Sequence, residues 1–275
     1  MRLFAKGEDM GKVAVVTGGS SGIGRACAEA LAKAGCVVYE LSRRDAVPGS
    51  QPGITHLTCD ITDEERAREA VSQVMEERGR IDILVNNAGF GISGAIEMTA
   101  SADARRQLEV NLFGMDNVTR AVLPYMRARG AGRIVCTSSI AGIVPIPFQA
   151  WYSVSKAAIN AYVCALANEV RPFGITVCAV MPGDIRTGFT DARAKSEAGD
   201  EVYGGRIGRS VAVMEKDERG GMAPEVAGGF LAKMALAQRS KPLVALGFSY
   251  KAVACLEKLL PKRFVNWLVY LIYAR

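Results

Sequence analysis

The 275-residue sequence predicts a single α/β domain built on a doubly wound parallel sheet, with helices on both faces. Short apolar runs alternate with longer segments of helical spacing, and this alternation is typical of strand–helix–strand units. Hydrophobic residues make up 49% of the chain, and neither a Pro/Ser-rich linker nor an internal repeat divides it. Because right-handed crossovers connect parallel strands, ligands are expected at the carboxyl edge of the sheet.

The predicted elements follow one another in strand–helix order. Apolar runs bounded by turn residues predict six strands, at 12–17, 37–42, 56–59, 83–85, 133–137 and 175–180. Periodic apolar positions predict four helices, at 21–34, 62–78, 101–128 and 151–170. The first helix is expected to end at Gly35, and the capping box Thr62-Asp63-Glu64-Glu65 is expected to begin the second.

Composition and charge narrow the function classes. The net charge of +6 suits an anionic cofactor or membrane surface, but no basic run carries interleaved aromatics, so nucleic acid is not expected. The seven cysteines are scattered without C-x-x-C spacing, which predicts buried thiols in a reducing cytoplasm and no metal site. Neither a signal peptide nor a membrane-spanning helix is expected, because the amino-terminal stretch MRLFAKGEDM is not apolar and no apolar run reaches 18 residues.

The segment VVTGGSSGIGRACAEALAKAG, residues 15–35, allows two incompatible interpretations. Its GGSSG stretch matches the G-x-S-x-G turn that holds the nucleophile of a serine hydrolase, here Ser20. Such a hydrolase needs a histidine base late in the chain, but the one histidine, His56, opens an early strand. Without a base to take its proton, Ser20 is not a nucleophile, so the hydrolase interpretation fails.

The same loop fits the pyrophosphate of a dinucleotide. It follows the first strand and begins a helix, where free backbone N–H groups and the positive end of the helix dipole attract an anion. Gly18, Gly22 and Gly24 let the backbone bend and approach the phosphates closely. The loop alone leaves a second explanation open, a tight strand-to-helix turn without a ligand.

A second group of residues centres on Tyr152 and Lys156, which share one face of a predicted helix because they lie four positions apart. A phenol with a pKa of about 10 is a poor proton donor and base at neutral pH until a nearby ammonium favours the phenolate. Lys156 is expected to lower the pKa of Tyr152 in this way. Ser138 and Ser139 end the fifth strand, where a hydroxyl can hold a substrate oxygen.

Six motifs in one order make the pattern specific. They are T-G-G-S-S-G-I-G at 17–24, N-N-A-G at 86–89, V-N at 110–111, S-S at 138–139, Y-S-V-S-K at 152–156 and P-G-D-I-R-T at 182–187. With this set the sequence strongly resembles the short-chain dehydrogenase/reductase family. The resemblance covers residues 11–246, leaves 247–275 as a carboxyl-terminal extension, and implies a Rossmann-type fold. It also implies an oxidoreductase that transfers a hydride between a nicotinamide dinucleotide and a carbonyl or secondary alcohol.

The resemblance implies a role for each motif residue. Tyr152 is expected to be the general acid in reduction and the base in oxidation, and Lys156 to hold the nicotinamide ribose. Ser139 is expected to position the carbonyl oxygen, and Asn111 to hold a water in a proton relay to Lys156. The cofactor is expected to contact Gly18, Ser20, Ser21, Gly22, Ile23 and Gly24 in the loop, Asp60 and Ile61 at the adenine, Asn87, Ala88 and Gly89 at the adenosine, Tyr152 and Lys156, and Pro182, Gly183, Ile185 and Thr187 at the nicotinamide.

Cofactor choice depends on the end of the second strand, V-V-Y-E-L-S-R-R. An acidic residue there accepts hydrogen bonds from the adenosine ribose and repels a 2′-phosphate. Ser42 stands at that position, and the guanidinium groups of Arg43 and Arg44 can donate charge-assisted hydrogen bonds to a phosphate. Glu40, two residues before Ser42, adds a negative charge near this position. The sequence therefore predicts NADP(H), with NAD(H) as the alternative.

The segment 188–221 is expected to be a lid over a small-molecule substrate. Its apolar residues are Phe189, Tyr203, Ile207, Val211, Val213 and Met214. They favour a lipophilic, hydroxysteroid-like, retinoid or acyl substrate, whereas packing of the lid against the body is the plainer explanation. A 3-oxoacyl thioester reductase and a non-catalytic dinucleotide sensor are the other function classes. The intact Ser139, Tyr152 and Lys156 argue against the sensor, and the apolar tail weighs against the thioester.

The tail FVNWLVYLIYA, residues 264–274, contains a single polar residue and follows Lys258, Lys262 and Arg263. Eleven residues cannot span a bilayer, but a basic apolar helix with Trp and Tyr can lie in the membrane interface. Packing on the substrate pocket or on another subunit is the alternative. A cytoplasmic homodimer or homotetramer is expected, with peripheral membrane contact through the tail as an option.

Overall fold

The computed structural model describes residues 11–44 and 52–275, and a parallel sheet forms its centre. The strands are β1 (Val13–Thr17), β2 (Val37–Ser42), β3 (Ile54–Thr58), β4 (Ile83–Asn86), β5 (Ile92–Ser93), β6 (Gly132–Thr137), β7 (Ile175–Met181), β8 (Ala194–Lys195) and β9 (Leu243–Ala245). Seven of them form one sheet in the order β3-β2-β1-β4-β6-β7-β9, and β5 pairs with β8 in a separate ribbon. Every pairing is parallel.

Helices connect the strands. They are α1 (Gly22–Lys33), α2 (Glu64–Arg78), α3 (Ser101–Leu108), α4 (Gly114–Arg129), α5 (Ala150–Glu169), α6 (Phe189–Ala192), α7 (Arg206–Arg219), α8 (Pro224–Leu236), α9 (Phe248–Leu259) and α10 (Lys262–Tyr273). A π-helical turn, Glu109–Phe113, joins α3 to α4. The predicted α/β doubly wound fold in one domain is confirmed.

Two apolar cores cover the two faces of the sheet, because alternate residues of a strand point to opposite sides. On one face, Val15 packs in a buried cluster with residues of α2, α4 and α5, among them Val118 and Ile159. On the other face, the next residue, Val16, packs in a cluster with Leu31 of α1 and residues of α8. Burial on both faces explains why the strands have continuous apolar sequences.

The predicted elements differ from the structure in several places. Asp63, not Thr62, caps α2, since its carboxylate accepts hydrogen bonds from the backbone N–H groups of Glu65 (3.0 Å) and Arg66 (3.1 Å). The predicted helix 101–128 is two helices separated by the π turn. The edge strand β9 was not predicted, because its three residues are too few to show a pattern.

The carboxyl-terminal extension forms α9 and α10, and α10 packs against α7 of the predicted lid. Packing on protein is therefore part of the tail's role. Within residues 11–44 and 52–275, no helix combines the length and apolar character needed to cross a bilayer.

All seven cysteines lie in the described part of the chain and carry free thiols. Burial raises the pKa of Cys27 and of Cys136 to about 12, which keeps both thiols protonated and unreactive.

Candidate active site

The sequence motifs meet at the carboxyl edge of the sheet. The glycine loop follows β1, Asn87 follows β4, Ser139 follows β6 and Pro182 follows β7. Because these strands are parallel neighbours, the residues after their carboxyl ends lie on the same side. The strand order reverses between β1 and β4, and a crevice at such a switch point is where an open α/β sheet binds a ligand.

The glycine loop leaves room for a phosphate group against its backbone. Gly18 and Gly22 adopt positive φ angles of 67° and 55°, which L side chains rarely adopt. Ser21, the N-cap of α1, makes no side-chain cap hydrogen bond, and the first turn of α1 contains no acidic residue. The first turn of α1 therefore places no carboxylate of its own against the amino-terminal N–H groups, and the loop fits a dinucleotide pyrophosphate. The Glu40 carboxylate does approach the loop, since one of its oxygens lies 3.1 Å from the position of a Cβ on Gly19.

Asn87 fixes this loop from the next strand. Its side-chain amide donates to the backbone oxygen of Thr17 (3.3 Å), and its own backbone N–H donates to the Thr17 hydroxyl (3.0 Å). The backbone N–H of Ala88 donates to the same hydroxyl at 3.1 Å. A Cβ on Gly24 would lie 2.4 Å from the Asn87 amide nitrogen, so only glycine fits there. The Asn87 side chain thus holds the loop itself.

Tyr152 and Lys156 lie on one face of α5, as their spacing predicts. The Lys156 ammonium nitrogen stands 5.5 Å from the centre of the Tyr152 ring. Lys156 is buried and donates to the backbone oxygen of Thr137, the last residue of β6, at 2.8 Å. The sheet therefore fixes the position of the ammonium beside the phenol.

The pKa values of this pair differ from the expectation. Burial raises the pKa of the Tyr152 phenol to about 12, against a smaller lowering by the Ser139 hydroxyl. Burial also lowers the pKa of Lys156 to about 8. The expected lowering of the Tyr152 pKa by Lys156 is not what the protein alone shows, because desolvation disfavours both charged forms.

The two serines after β6 have different environments. Ser138 is buried and donates to the backbone oxygen of Lys156 at 3.0 Å, which fastens β6 to α5. The Ser139 hydroxyl accepts a hydrogen bond from Ala141 N at 3.1 Å and interacts with the Tyr152 phenol. Of the two serines, Ser139 is therefore the one beside the Tyr152 phenol, and its role in holding a substrate oxygen stays a prediction.

Asn111 lies in the π turn and is buried. Its amide nitrogen donates to the backbone oxygen of Phe90 and to the Ser155 hydroxyl, both at 3.0 Å, and its amide oxygen accepts from Phe90 N at 3.0 Å. Both N–H donors of the side chain are thus used by protein atoms. Asn111 joins the loop after β4 to α5, and Gly89 packs against its amide oxygen. Its predicted role in a water relay stays a prediction.

The end of β2 borders a cavity of about 320 Å³. Its lining includes Arg43, Asp60, Arg105, Arg106 and Val110. Three of these are cations at the edge where the adenosine end of a dinucleotide is expected. Arg44 instead donates to the Ser21 hydroxyl at 2.8 Å, which ties the end of β2 to the glycine loop.

Glu40 and His56 form a buried pair under this edge. The Glu40 carboxylate contacts His56 Nδ1 and accepts a long hydrogen bond of 3.4 Å from the Ser42 hydroxyl. His56 Nε2 lies 3.0 Å from the Thr58 hydroxyl. Glu40 and Thr58 therefore engage both ring nitrogens of the lone histidine, which agrees with rejecting the hydrolase.

The remaining predicted cofactor residues border the same crevice. Asp60 accepts hydrogen bonds from Thr62, and the buried Ile61 packs against Gly114. Thr187 stands 3.6 Å from the position of a Cβ on Gly22, so the segment after β7 approaches the glycine loop. Ile185 is buried.

Gly183 packs directly against Tyr250 of α9, a contact that the sequence did not reveal. A Cβ at position 183 would lie 1.9 Å from the Tyr250 ring. The Tyr250 hydroxyl donates to the Asp184 carboxylate at 2.5 Å and accepts from Asp184 N at 3.0 Å. The carboxyl-terminal extension thus supports the wall formed by the P-G-D-I-R-T motif.

The segment predicted to be the lid places the ring of Phe189 beside that of Tyr152. The ring of Phe189 lies 5.6 Å from that of Tyr152, centre to centre. Arg193, whose side chain is buried, ion-pairs with Glu218 of α7 and stands 5.7 Å from the centre of the Phe189 ring. Ile207 and Met214 are buried, so these apolar lid residues pack the lid in place. Sequence reasoning missed Arg193, because one arginine in an unpatterned segment gives no signal.

Phe148, in the loop before α5, has a positive φ of 57°. A non-glycine residue in this region costs about 1–3 kcal/mol and persists only where its surroundings hold it. Its backbone oxygen accepts from Gly94 N at 2.8 Å, and its ring packs edge-on against Tyr203 at 5.6 Å. These contacts hold Phe148 in place in the loop that precedes α5.

Comparison with known proteins agrees with this geometry. The short chain dehydrogenase family pattern matches residues 12–198. The chain is 42% identical over 234 residues to the 3-ketodihydrosphingosine reductase of Bacteroides thetaiotaomicron, covering 84% of this chain and 86% of that protein. A short-chain dehydrogenase from Streptomyces avermitilis superimposes with a TM-score of 0.79 at 34% identity, covering 92% of this chain and 94% of that one.

A third relative is a 3-ketoacyl-(acyl-carrier-protein) reductase from Brucella melitensis, solved with NADH. It superimposes with a TM-score of 0.72 at 26% identity, covering 86% of this chain and 96% of that one. Two relatives thus carry reductase names, and the matched family extends over most of the sheet. The chain belongs to the short-chain dehydrogenase family and is an oxidoreductase that acts on carbonyl or hydroxyl groups.

Proposed function

We propose that this oxidoreductase uses NADP(H) to reduce the keto group of a long-chain lipid, with a 3-keto sphingoid base as the first substrate class to test. One observation carries the proposal: the Tyr152 phenol lies beside Ser139 and Lys156 and against the ring of Phe189. This arrangement joins a proton donor to an apolar wall. The 42% identity to a 3-ketodihydrosphingosine reductase supports the lipid class.

The roles of the residues follow from their positions. A bound nicotinamide dinucleotide supplies the hydride that adds to the carbonyl carbon. Ser139 and Tyr152 both hold the substrate oxygen, and the Tyr152 phenol gives its proton to that oxygen as the negative charge develops. Lys156, fixed by Thr137, stabilises the phenolate that remains and holds the ribose hydroxyls. At neutral pH the Tyr152 phenol carries the proton that reduction requires, but its raised pKa makes it a weak acid, so the release of that proton depends on the Lys156 ammonium beside the phenolate.

The proposed preference for NADP(H) rests on the cations at the adenosine end. Arg43, Arg105 and Arg106 line the cavity beside β2, and Ser42 stands where an acidic residue would repel a 2′-phosphate. The Glu40 carboxylate opposes these cations, because one of its oxygens contacts His56 and Ser42 while the other lies against Gly19 of the glycine loop. NAD(H) is the alternative cofactor.

Changing the end of β2 is expected to reverse the cofactor preference. In the double variant Ser42→Asp with Arg43→Ala, a carboxylate replaces a hydroxyl and one phosphate partner is lost. Each effect on NADPH binding is about 1.5–3 kcal/mol, so the ratio of kcat/KM for NADPH to that for NADH should fall by about 10²-fold or more. Steady-state kinetics with both cofactors measures this ratio.

Arg127→Ala is the matched control for charge, because Arg127 stacks on Phe173 far from β2. It should leave the ratio unchanged. Equal kcat/KM values for NADH and NADPH in the wild-type protein would contradict the proposal.

The substrate class is tested by chain length. Each methylene that the site buries contributes about 0.8 kcal/mol, so kcat/KM should rise about fourfold per buried CH₂ in a series of 2-amino-1-hydroxy-3-ketones. Oxidation of NADPH, followed by absorbance, measures the rate. Values of kcat/KM that do not change with chain length would contradict the proposed lipid substrate.

A 3-oxoacyl thioester is the second candidate substrate, favoured by the likeness to the Brucella 3-ketoacyl-(acyl-carrier-protein) reductase. The same NADPH assay should therefore also include a 3-oxoacyl thioester, a steroid ketone, retinal and a small ketone. A thioester that outperforms the sphingoid ketone of equal chain length would assign the protein to the second class. We also propose a cytoplasmic homodimer or homotetramer, and native mass measures the number of copies.

A further inference from the structure

The carboxyl-terminal extension has a fixed orientation on the body of the protein. Tyr250 of α9 is anchored by Asp184 and Gly183, and Val269 of α10 is buried where α10 packs against α7. Tyr273, one turn after Val269, is half-buried on the same side of α10. These contacts determine which faces of the two helices point outward.

The outward face of α9 is apolar. Phe248, Ala252, Leu256 and Leu259 recur at intervals of four, four and three, so they form one stripe along the helix. Phe248 is 91% exposed, Leu256 50% and Leu259 74%. An amphipathic helix normally buries such a stripe, whereas in α9 the stripe faces outward and the partly covered positions are Tyr250, Ala254 and Glu257.

The outward face of α10 repeats this arrangement. Its exposed apolar residues cover a continuous arc opposite Val269, and they are Phe264, Trp267, Leu268, Leu271 and Ile272. Phe264 and Trp267 stack on each other with ring centres 5.8 Å apart. Single exposed apolar residues are ordinary, but a contiguous apolar arc next to a second apolar stripe marks an interaction surface.

The charges of the extension indicate what binds this surface. It contains five cations, Lys251, Lys258, Lys262, Arg263 and Arg275, and one acidic side chain, Glu257. Glu257 is already paired with Lys262. Lys251 and Lys258 lie about two helical turns apart, on the same side of the apolar stripe of α9. Glu257 compensates only Lys262, so the extension keeps an excess of positive charge beside the apolar surface.

We propose that the outward faces of α9 and α10 are a docking surface for an anionic lipid bilayer. Phe, Leu and Trp side chains enter the acyl boundary while the lysines and Arg263 meet lipid phosphates, as in interfacial amphipathic helices. A second copy of the chain fits less well, because a twofold contact would place this excess of positive charge against itself. The proposal concerns a surface outside the active site and does not depend on the substrate.

Sedimentation with vesicles tests the proposal directly. The full-length protein should pellet with phosphatidylglycerol/phosphatidylcholine vesicles, and much less with pure phosphatidylcholine. Raising salt from about 0.1 M to 1 M shortens the screening length from about 10 Å to 3 Å and should release part of the bound protein. The triple variant Phe264→Ser, Trp267→Ser, Leu271→Ser should bind at least about 10²-fold more weakly, since three large apolar side chains are lost.

A matched control removes three exposed apolar side chains elsewhere, with Ile96→Ser, Phe173→Ser and Val226→Ser, and should bind vesicles like the wild type. Circular dichroism melts and turnover of a short-chain ketone show that each variant is folded. Failure of the wild type to bind anionic vesicles, or equal binding by the triple variant, overturns the proposal. A fall in native mass in the triple variant, without vesicle binding by the wild type, assigns the surface to contact between copies instead.

Discussion

Replacing Tyr152 with Phe is expected to lower kcat by about 10²–10⁴-fold, the range that a general acid contributes. The substitution removes only the hydroxyl, so the ring stays against Phe189 and the fold should be unchanged. Cofactor binding should remain within about twofold, because the main phosphate and ribose partners are elsewhere. Stopped-flow reduction measures the rate, and quenching of protein fluorescence by NADPH measures the dissociation constant.

Tyr162→Phe is the matched control on the same helix. The Tyr162 hydroxyl lies ten residues further along α5 and donates to Asp116 of α4 at 2.7 Å, so its loss should affect stability slightly and leave the rate intact. If Tyr152→Phe retained more than half of the wild-type kcat, Tyr152 would not be the acid.

Replacing Lys156 with Met is expected to abolish turnover and to stabilise the fold. The activity falls because the phenolate loses its neighbouring ammonium. The variant is expected to be more stable because burial lowers the pKa of Lys156 from 10.5 to about 8. At neutral pH this shift corresponds to a cost of about 3 kcal/mol for burying the charged ammonium in the folded wild-type protein. The lost hydrogen bond to the Thr137 oxygen offsets about 1 kcal/mol of that gain. Chemical denaturation should therefore show the variant more stable by about 1–2 kcal/mol at pH 7.

The pH dependence of the stability difference distinguishes this cause from a change in packing, because packing does not vary with pH. Between the folded pKa of about 8 and the unfolded value of 10.5, the unfolded wild-type chain binds more protons than the folded one. The stability of the wild type therefore rises with pH across that window, relative to a Met variant without the titrating group. The advantage of the variant should shrink above pH 8 and change sign before pH 10.5, because the penalty of about 3 kcal/mol that is relieved exceeds the net difference of about 1–2 kcal/mol. A constant difference from pH 7 to 10.5 would contradict the assigned pKa.

The sequence predicts the sheet well because its pattern is dense. The continuous apolar run of β1 and the exact glycine spacing after it appear in only one place, and β2, β4, β6 and β7 each repeat the same signal. Motifs then locate the carboxyl edge, since residues such as Ser139 and Asn87 follow directly on predicted strands. Tyr152 and Lys156 meet because helix geometry alone brings positions four apart together.

Other features depend on burial, which one sequence does not display. The raised pKa of Tyr152 and the lowered pKa of Lys156 come from desolvation by the surrounding fold, and no local pattern encodes it. The pair of Arg193 with Glu218 joins two lid elements that local sequence cannot align. The π turn around Asn111 has no sequence signal that distinguishes it from a continuous helix.

The contact between Tyr250 and Gly183 has a practical consequence for recombining members of this family. A crossover placed after residue 246, where the resemblance to the family ends, would separate a tyrosine from the glycine whose missing side chain makes room for it. A grafted carboxyl terminus without an aromatic ring at position 250 would leave a void next to Gly183. It would also leave the Asp184 carboxylate without its tyrosine hydrogen bond. Chimaeras should therefore exchange the segments around 183 and 250 as one unit, although 66 residues separate the two hydrogen-bonded partners along the chain.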